Sequence, residues 1–270
     1  MSRLAMLLES TGSNQTTYSA ASRCRPLNES TINLDFSHRL FIPENYEPAY
    51  DYPLVVWLHS DASSEMELDN VMAAMSTRNY IAIAPRANVK CRGNSLLFRW
   101  GSTATDCAAA EDLVWDCVQA AADSLSVNTN KVFLAGFGAG GTTAQWIGLK
   151  YARQIAGVVS LSGNYPSAPQ SLSNWKQARD LSVLFAQRQG STLCSEDELM
   201  RAVRISHQSG LGYRFWQLRS GDDSAAEANE LDSTMLDAAN RFMMGIVTNT
   251  ELSLSPETTS DSECVEFGFN

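Results

Sequence analysis

Short, wholly apolar segments alternate with segments of helical periodicity along most of this 270-residue chain. Apolar runs without polar alternation are typical of strands that are buried on both faces of a sheet, and strands joined by helices run parallel. The pattern therefore predicts an α/β fold with a mostly parallel central sheet and helices on both faces. The predicted strands are 53–59, 80–85, 131–135, 155–161, 181–186 and 212–218.

The segments between these strands carry apolar residues three or four positions apart, which predicts helices with one buried face. Period-two alternation at 32–42 predicts instead a strand of an antiparallel hairpin at the sheet edge, ended by Pro43. The predicted helices are 65–75, 107–125, a segment that ends near 151, 196–209 and 225–246.

Composition separates the two ends of the chain from its apolar middle. Residues 1–31 are rich in Ser, Thr and Asn, and residues 248–270 are rich in Ser, Thr and acidic side chains. Such segments bury too little apolar surface to offset the entropy of ordering. We therefore expect a flexible leader at 1–31, one domain at 32–247 and a disordered acidic tail at 248–270.

The charge balance excludes several classes of partner. The net charge is −10 and the pI is about 4.8. Nucleic acids and anionic membranes favour clustered Lys and Arg, and no basic run occurs in the chain. No segment approaches the ~20 apolar residues of a membrane-spanning helix. We expect a cytoplasmic protein without a nucleic-acid partner or membrane insertion, whose partner is a small molecule or a protein.

Cysteine and histidine are too dispersed to indicate a metal site. The six cysteines include no C-x-x-C pair, and the three histidines, His38, His59 and His207, stand apart from them. Metal sites of this kind need Cys and His ligands at short, regular spacings. We therefore predict reduced thiols, structural histidines, no metal and no cofactor.

A strand, a cluster of glycines and a helix follow one another in FLAGFGAGGTTA, residues 133–144. The cluster fits two motifs: the G-x-G-x-x-G turn of dinucleotide-binding proteins and the G-x-S-x-G turn of hydrolases, with Gly138 in place of the serine. A dinucleotide site needs a carboxylate about 20 residues further on. No Asp or Glu occurs between 142 and 179, so the hydrolase turn is favoured.

Four segments extend this interpretation to most of the chain. They are PLVVWLHSDASSE (53–65), YIAIAPRA (80–87), KVFLAGFGAGGTTAQW (131–146) and IAGVVSLSGNYP (155–166). In this order and spacing they resemble the phospholipase/carboxylesterase family, in its acyl-protein thioesterase-like branch. The resemblance runs from about residue 38 to 245. It implies the α/β-hydrolase fold and ester hydrolysis by a triad of serine, aspartate and histidine.

The side chains of that triad are missing from the matching positions. Gly138 stands at the nucleophile, Ser191 at the aspartate and Asp222 at the histidine. The resemblance also implies backbone amides that bind a carbonyl oxygen in active relatives, here at Ser60, Asp61 and Ala139. Candidates for the pocket wall are His59 and Trp100.

Three hypotheses about function follow. The first is a pseudoenzyme that keeps the old pocket for binding or protein interaction. The second is a working ester hydrolase with a non-standard catalytic set, formed by Asp222 and one of Ser60, Ser160 or Ser162. The third, a nucleotide-binding oxidoreductase, lacks the ribose-binding carboxylate.

Overall fold

The computed structural model describes residue 32, residues 34–166, 175–218 and 231–250, and the backbone of residues 265–267. The strands of this part of the chain are β1 (His38–Phe41), β2 (Tyr52–Leu58), β3 (Ile81–Pro85), β4 (Val89–Lys90), β5 (Phe98–Arg99), β6 (Val127–Phe137), β7 (Gly157–Leu161), β8 (Ser182–Arg188), β9 (Gly212–Leu218) and β10 (Val265–Phe267). The helices are α1 (Glu67–Met75), α2 (Ala104–Ser124), α3 (Ala139–Lys150), α4 (Trp175–Ala178), α5 (Glu196–Ser209) and α6 (Ser233–Thr248).

The main sheet has the strand order β1-β3-β2-β6-β7-β8-β9-β10, and β4 pairs with β5 in a separate hairpin. All neighbours from β3 to β9 are parallel, whereas the two edge strands are antiparallel. The order of the parallel strands reverses at β2, which lies between β3 and β6. This mostly parallel sheet confirms the fold class predicted from the alternation of apolar and helical segments.

The first strand differs from its prediction. It lies at the edge and is antiparallel, as expected, but β1 covers only His38–Phe41 and pairs with β3 rather than forming a hairpin with β2. All seven residues of β2 are buried, and β2 pairs with β3 and β6 on its two sides. No edge of β2 is left for β1, which therefore lies against the outer edge of β3.

Helices cover both faces of the sheet, because successive residues of each strand point to opposite sides. From β2, Leu54, Val56 and Leu58 pack in one core cluster with α2 and α3. Val55 and Trp57 pack in the other cluster with α1 and α6. The two helical layers of the prediction are confirmed.

The ends of the domain are only partly described. The helix α6 begins at Ser233, where the Asp232 carboxylate accepts a hydrogen bond from the amide of Met235 at 2.8 Å and caps the first turn. The proposed leader lies outside the described residues, as does most of the proposed tail. At 265–267, where the sequence predicts no structure, the backbone pairs with β9.

No helix of the described residues has the length and apolar character needed to cross a bilayer.

Candidate functional site

The turn from β6 into α3 places Gly138 at the carboxyl edge of the sheet. Its backbone has φ 55° and ψ −122°, a conformation that is costly for residues with a Cβ. The amide of Gly138 donates to the carbonyl of Leu161 at the end of β7, 2.8 Å away. A Cβ added at Gly138 would meet no atom within 4 Å, so the position faces open space.

A second glycine of the turn serves a different purpose. The first turn of α3 crosses the end of β2 so closely that a Cβ on Gly140 would lie 1.9 Å from the carbonyl oxygen of Leu58. Only glycine permits this approach without movement of the backbone. The contact holds the start of α3 beside the loop that follows β2.

A cavity of about 760 Å³ opens in front of Gly138. Its volume lies within the range of ~300–1,000 Å³ that is usual for small-molecule sites. The described residues that line it are Asp61, Trp100, Gly101, Ser102, Ala104, Cys107, Ala110, Gly138, Ala139, Thr142, Thr143, Trp146, Asn164, Tyr165, Pro166 and Leu193.

Trp100 belongs to this wall, whereas His59 is not among the described lining residues. His59 is fully buried, with its ring 5.3 Å from the ring of Trp100. The indole nitrogen of Trp100 also donates to the carbonyl of His59 at 2.9 Å. His59 therefore supports the pocket wall from behind instead of forming its surface.

Both ring nitrogens of His59 are engaged. Nε2 accepts from the amide of Ala87 at 3.1 Å, which leaves the proton on Nδ1 to bond the carbonyl of Ser60 at 2.8 Å. Burial lowers the pKa of His59 below its ordinary value, against the opposing effects of the Ser60 carbonyl and nearby carboxylates. His59 is thus a neutral scaffold residue with no nitrogen left to act as a base.

The loop after β2 is held by Glu67 at the start of α1. The Glu67 carboxylate accepts from the amide of Ser60 at 3.1 Å, from its hydroxyl at 2.6 Å and from the indole nitrogen of Trp57 at 2.9 Å. Of the three amides expected to bind a carbonyl oxygen, that of Ser60 is therefore directed to a carboxylate. Residues Asp61 and Ala139 both line the pocket.

Asp61 is the one charged residue among the described residues that line the pocket. Burial raises the pKa of its carboxyl, and the positive charge of Arg99 acts in the opposite direction. Arg99 is not among the described residues that line the cavity. The local charge of the described wall is therefore negative at neutral pH.

Two of the three positions that match the family triad lie in described parts of the chain. Gly138 faces the cavity, whereas Ser191 is buried and its hydroxyl accepts a hydrogen bond from the amide of Leu193 at 3.2 Å. Asp222 lies outside the described residues. None of the chain's three histidines is among the described lining residues.

The serines considered as substitute nucleophiles are also absent from the described wall. The hydroxyl of Ser60 bonds Glu67, as described above. Ser160 is fully buried and accepts from the side-chain amide of Gln145 at 2.8 Å. Ser162 is likewise fully buried.

Several lining residues were not singled out by sequence reasoning. Asn164 and Tyr165 follow the carboxyl end of β7, a position at which ligand-binding loops are common in parallel sheets. That rule could have indicated them. Cys107 and Ala110 come from the start of α2, and no local sequence signal distinguishes them from ordinary helix residues. The described residues contain no group of three or more His, Cys, Asp or Glu placed to hold a metal ion.

The reversed strand order, the glycine turn and the pocket at the carboxyl edge define the α/β-hydrolase class of folds. Solved structures agree. A Bacillus cereus carboxylesterase is 16% identical with a TM-score of 0.62, covering 79% of this chain and 96% of its own. Zea mays acyl-protein thioesterase 2 is 13% identical with a TM-score of 0.60, covering 78% and 99%. A thermostable esterase is 16% identical with a TM-score of 0.56, covering 78% of this chain and 58% of its own.

The family to which the chain belongs is shown by a comparison of its sequence with family models. The model of the phospholipase/carboxylesterase family matches residues 101–243, which is more than half of the chain. The chain belongs to the phospholipase/carboxylesterase family, as the resemblance of its four segments predicted. A search of curated protein sequences found no match.

Proposed function

We propose that this member of the phospholipase/carboxylesterase family binds a small molecule in its pocket and does not hydrolyse esters. The observation that carries the proposal is Gly138. It occupies the turn where the family's attacking hydroxyl is expected, and its Cα faces the cavity with no side chain. A carbonyl group bound there would meet no nucleophile from this position. Loss of the nucleophile lowers the rate of a triad enzyme by roughly 10⁶-fold.

The histidines support the same proposal. A general base must lie within hydrogen-bond reach of the group it deprotonates. His59 uses both ring nitrogens within the scaffold, and His38 and His207 lie on β1 and α5, away from the described pocket wall. No imidazole of the described residues is therefore in place to activate a hydroxyl in the pocket.

The charge of the pocket also supports a binding role. An ester carbonyl gains negative charge as it is attacked, and hydrolases stabilise that charge with positively polarised donors. Here the amide of Ser60 is bonded to Glu67, and Asp61 adds a carboxylate to the wall. These two carboxylates oppose the charge that ester hydrolysis would develop.

No observation favours a hydrolase with a substitute serine. Ser60, Ser160 and Ser162 are absent from the described wall, and the first two are hydrogen-bonded within the scaffold. The cytoplasmic location and the choice between a small molecule and a protein as the partner stay predictions from the sequence. The volume of the cavity, about 760 Å³, lies in the range of small-molecule sites and supports the small molecule.

Hydrolysis of short p-nitrophenyl esters and labelling by a fluorophosphonate probe test the proposal together. We expect a rate equal to that of buffer and no labelled serine. The variants Ser60→Ala, Ser160→Ala and Ser162→Ala are the matched controls. Turnover or stoichiometric labelling that one of these variants abolishes would identify a working nucleophile and contradict the proposal.

A further inference from the structure

We infer that the pocket binds a lipophilic organic cation: an ammonium compound with an aromatic or alkyl part and an oxygen that accepts hydrogen bonds. This inference rests on the proposed binding function and names its ligand class. Three features of the described wall carry it: its charge, its aromatic side chains and its unpartnered hydrogen-bond donors.

The charge comes from Asp61. Its carboxylate is the one charged group of the described wall, so a positive ligand gains an attraction there that a neutral ligand lacks and a negative one reverses. The neighbouring Ser60 is fixed through its amide and hydroxyl to Glu67, which limits the movement of the loop that carries Asp61. The exposed Arg99 offsets part of this negative charge from outside the described wall.

Aromatic rings provide the second feature. Trp100, Trp146 and Tyr165 line the same cavity as Asp61. Ring faces attract cations, and tryptophan does so most strongly. The ammonium of Lys150 already lies 5.4 Å from the ring centre of Trp146, so Trp100 and Tyr165 are the rings that we assign to a ligand cation.

The third feature is a pair of buried donors. Trp146 and Tyr165 are 5% and 4% exposed, and neither the indole nitrogen nor the phenol oxygen has a hydrogen-bond partner within the described structure. A buried polar group without a partner is costly, which favours a ligand that supplies an acceptor. The amide of Ala139 lies in the first turn of α3, where the helix dipole makes backbone N–H groups partly positive, so it is also a hydrogen-bond donor. When the oxygen of the ligand accepts hydrogen bonds from these donors, the ammonium group of the ligand is free to pair with Asp61.

Three probes of nearly the same shape test the inference by calorimetry. They are (2-phenoxyethyl)trimethylammonium, its neutral carbon analogue (3,3-dimethylbutoxy)benzene, and 3-phenoxypropanoate. We expect the cation to bind about tenfold or more tightly than the neutral analogue, from one ion pair and one ring contact. We expect the anion to bind weakest. Equal binding of the cation and the neutral analogue, or no binding of the cation, would overturn the inference.

Two variants locate the contacts. Asp61→Asn is expected to remove most of the cation's advantage and to leave the neutral analogue unchanged. Asp51→Asn removes the same charge before β2, roughly 20 Å along the strand from its carboxyl end, and is expected to change neither. Tyr165→Phe is expected to weaken the phenoxy cation relative to (3-phenylpropyl)trimethylammonium, which lacks the ether oxygen. An unchanged cation affinity in Asp61→Asn would contradict the assignment.

Failure of this inference and failure of the proposed function are distinguishable. If the chain hydrolyses esters, the non-catalytic proposal fails whatever the probes bind. If hydrolysis is absent and the cation shows no preference, the ligand class is wrong while the non-catalytic proposal stands.

Discussion

Gly138 connects backbone conformation with chemistry in a single residue. Its positive φ is a conformation that glycine reaches freely and that other residues reach at a cost of about 1–3 kcal/mol. In a hydrolase, a serine at this position adopts the same costly conformation and supplies the nucleophile. In this chain the turn is relaxed, and the space in front of it is left to a ligand.

The variant Gly138→Ser tests both the backbone strain and the chemistry of this position. Because a Cβ at this position meets no atom within 4 Å, we expect the variant to fold, with a free energy of unfolding lower by about 1–3 kcal/mol from backbone strain. Esterase activity is expected to stay at the buffer rate, since the described pocket wall carries no histidine to activate the new hydroxyl. Urea unfolding and an ester assay measure the two effects.

Gly138→Ala is the control for that variant, because it adds the same strain without a hydroxyl. Ester turnover by Gly138→Ser well above that of Gly138→Ala would reveal a base in the pocket and count against the proposed function.

At the scale of elements, the start of α1 ties together two loops of the site edge. Glu67 bonds the loop after β2, and Glu65, two residues before Glu67, pairs with Arg86 after β3. Arg86 also lies over the ring of Phe98 in β5, 4.7 Å from its centre. These contacts position the hairpin of β4 and β5, from which the chain continues to Trp100 in the pocket wall.

The Glu65–Arg86 pair predicts a pH dependence of stability. Burial alone would raise the pKa of Glu65, but the hydrogen bonds and charge of Arg86 outweigh it and bring the pKa below the ordinary value of 4.5. A carboxyl with a lowered pKa stabilises the fold above its unfolded-state pKa, and this contribution disappears as the pH falls through the folded-state value. Glu65→Gln should therefore destabilise the protein at neutral pH and approach the wild type below about pH 4.5.

Urea unfolding at a series of pH values measures this difference. At neutral pH we expect roughly 1–2 kcal/mol, less than the loss from a fully buried pair, because the side chain of Arg86 is 36% exposed. Glu47→Gln, at an exposed position before β2, serves as the control. A difference between Glu65→Gln and wild type that stays constant with pH would show that the charge of Glu65 is not involved.

The whole molecule is a sheet between two helical layers, and only one layer contributes helices to the described pocket wall. The lining residues of α2 and α3 lie on one face, whereas α1 and α6 pack on the other. Stability can therefore be lowered from the α6 side without direct change to the pocket.

Phe242→Ala tests that separation. Phe242 in α6 is 1% exposed within the α1 and α6 core, so truncation should lower the free energy of unfolding by about 3–5 kcal/mol. Affinity for the cationic probe at temperatures where the variant is folded should be unchanged. Thr248→Ala, at the exposed end of the same helix, is the control. A loss below about 1 kcal/mol would contradict the packing of α6 against the sheet.

Local patterns predicted most of this architecture because burial and periodicity are properties of short segments. The helix Glu196–Ser209 and the strand Gly212–Leu218 have the bounds predicted for them. Strand pairing depends instead on distant residues, and for this reason the hairpin predicted for the first strand is wrong, since β1 pairs with β3. The same holds for the site: the glycine turn is a local motif, but the bonds from Glu67 to Ser60 and Trp57 depend on how a helix start meets a strand end.

The hydrogen bonds of His59 have a consequence for experiments in solution. Histidine is usually the side chain that changes charge near neutrality, and it makes many binding sites sensitive to small changes of acidity. Here the ring that supports Trp100 is buried, both of its nitrogens are hydrogen-bonded, and burial lowers its pKa below the ordinary value. The wall behind the pocket should therefore keep one shape in neutral and mildly alkaline buffers. Any change of ligand affinity over that interval would report on the ligand or on Asp61.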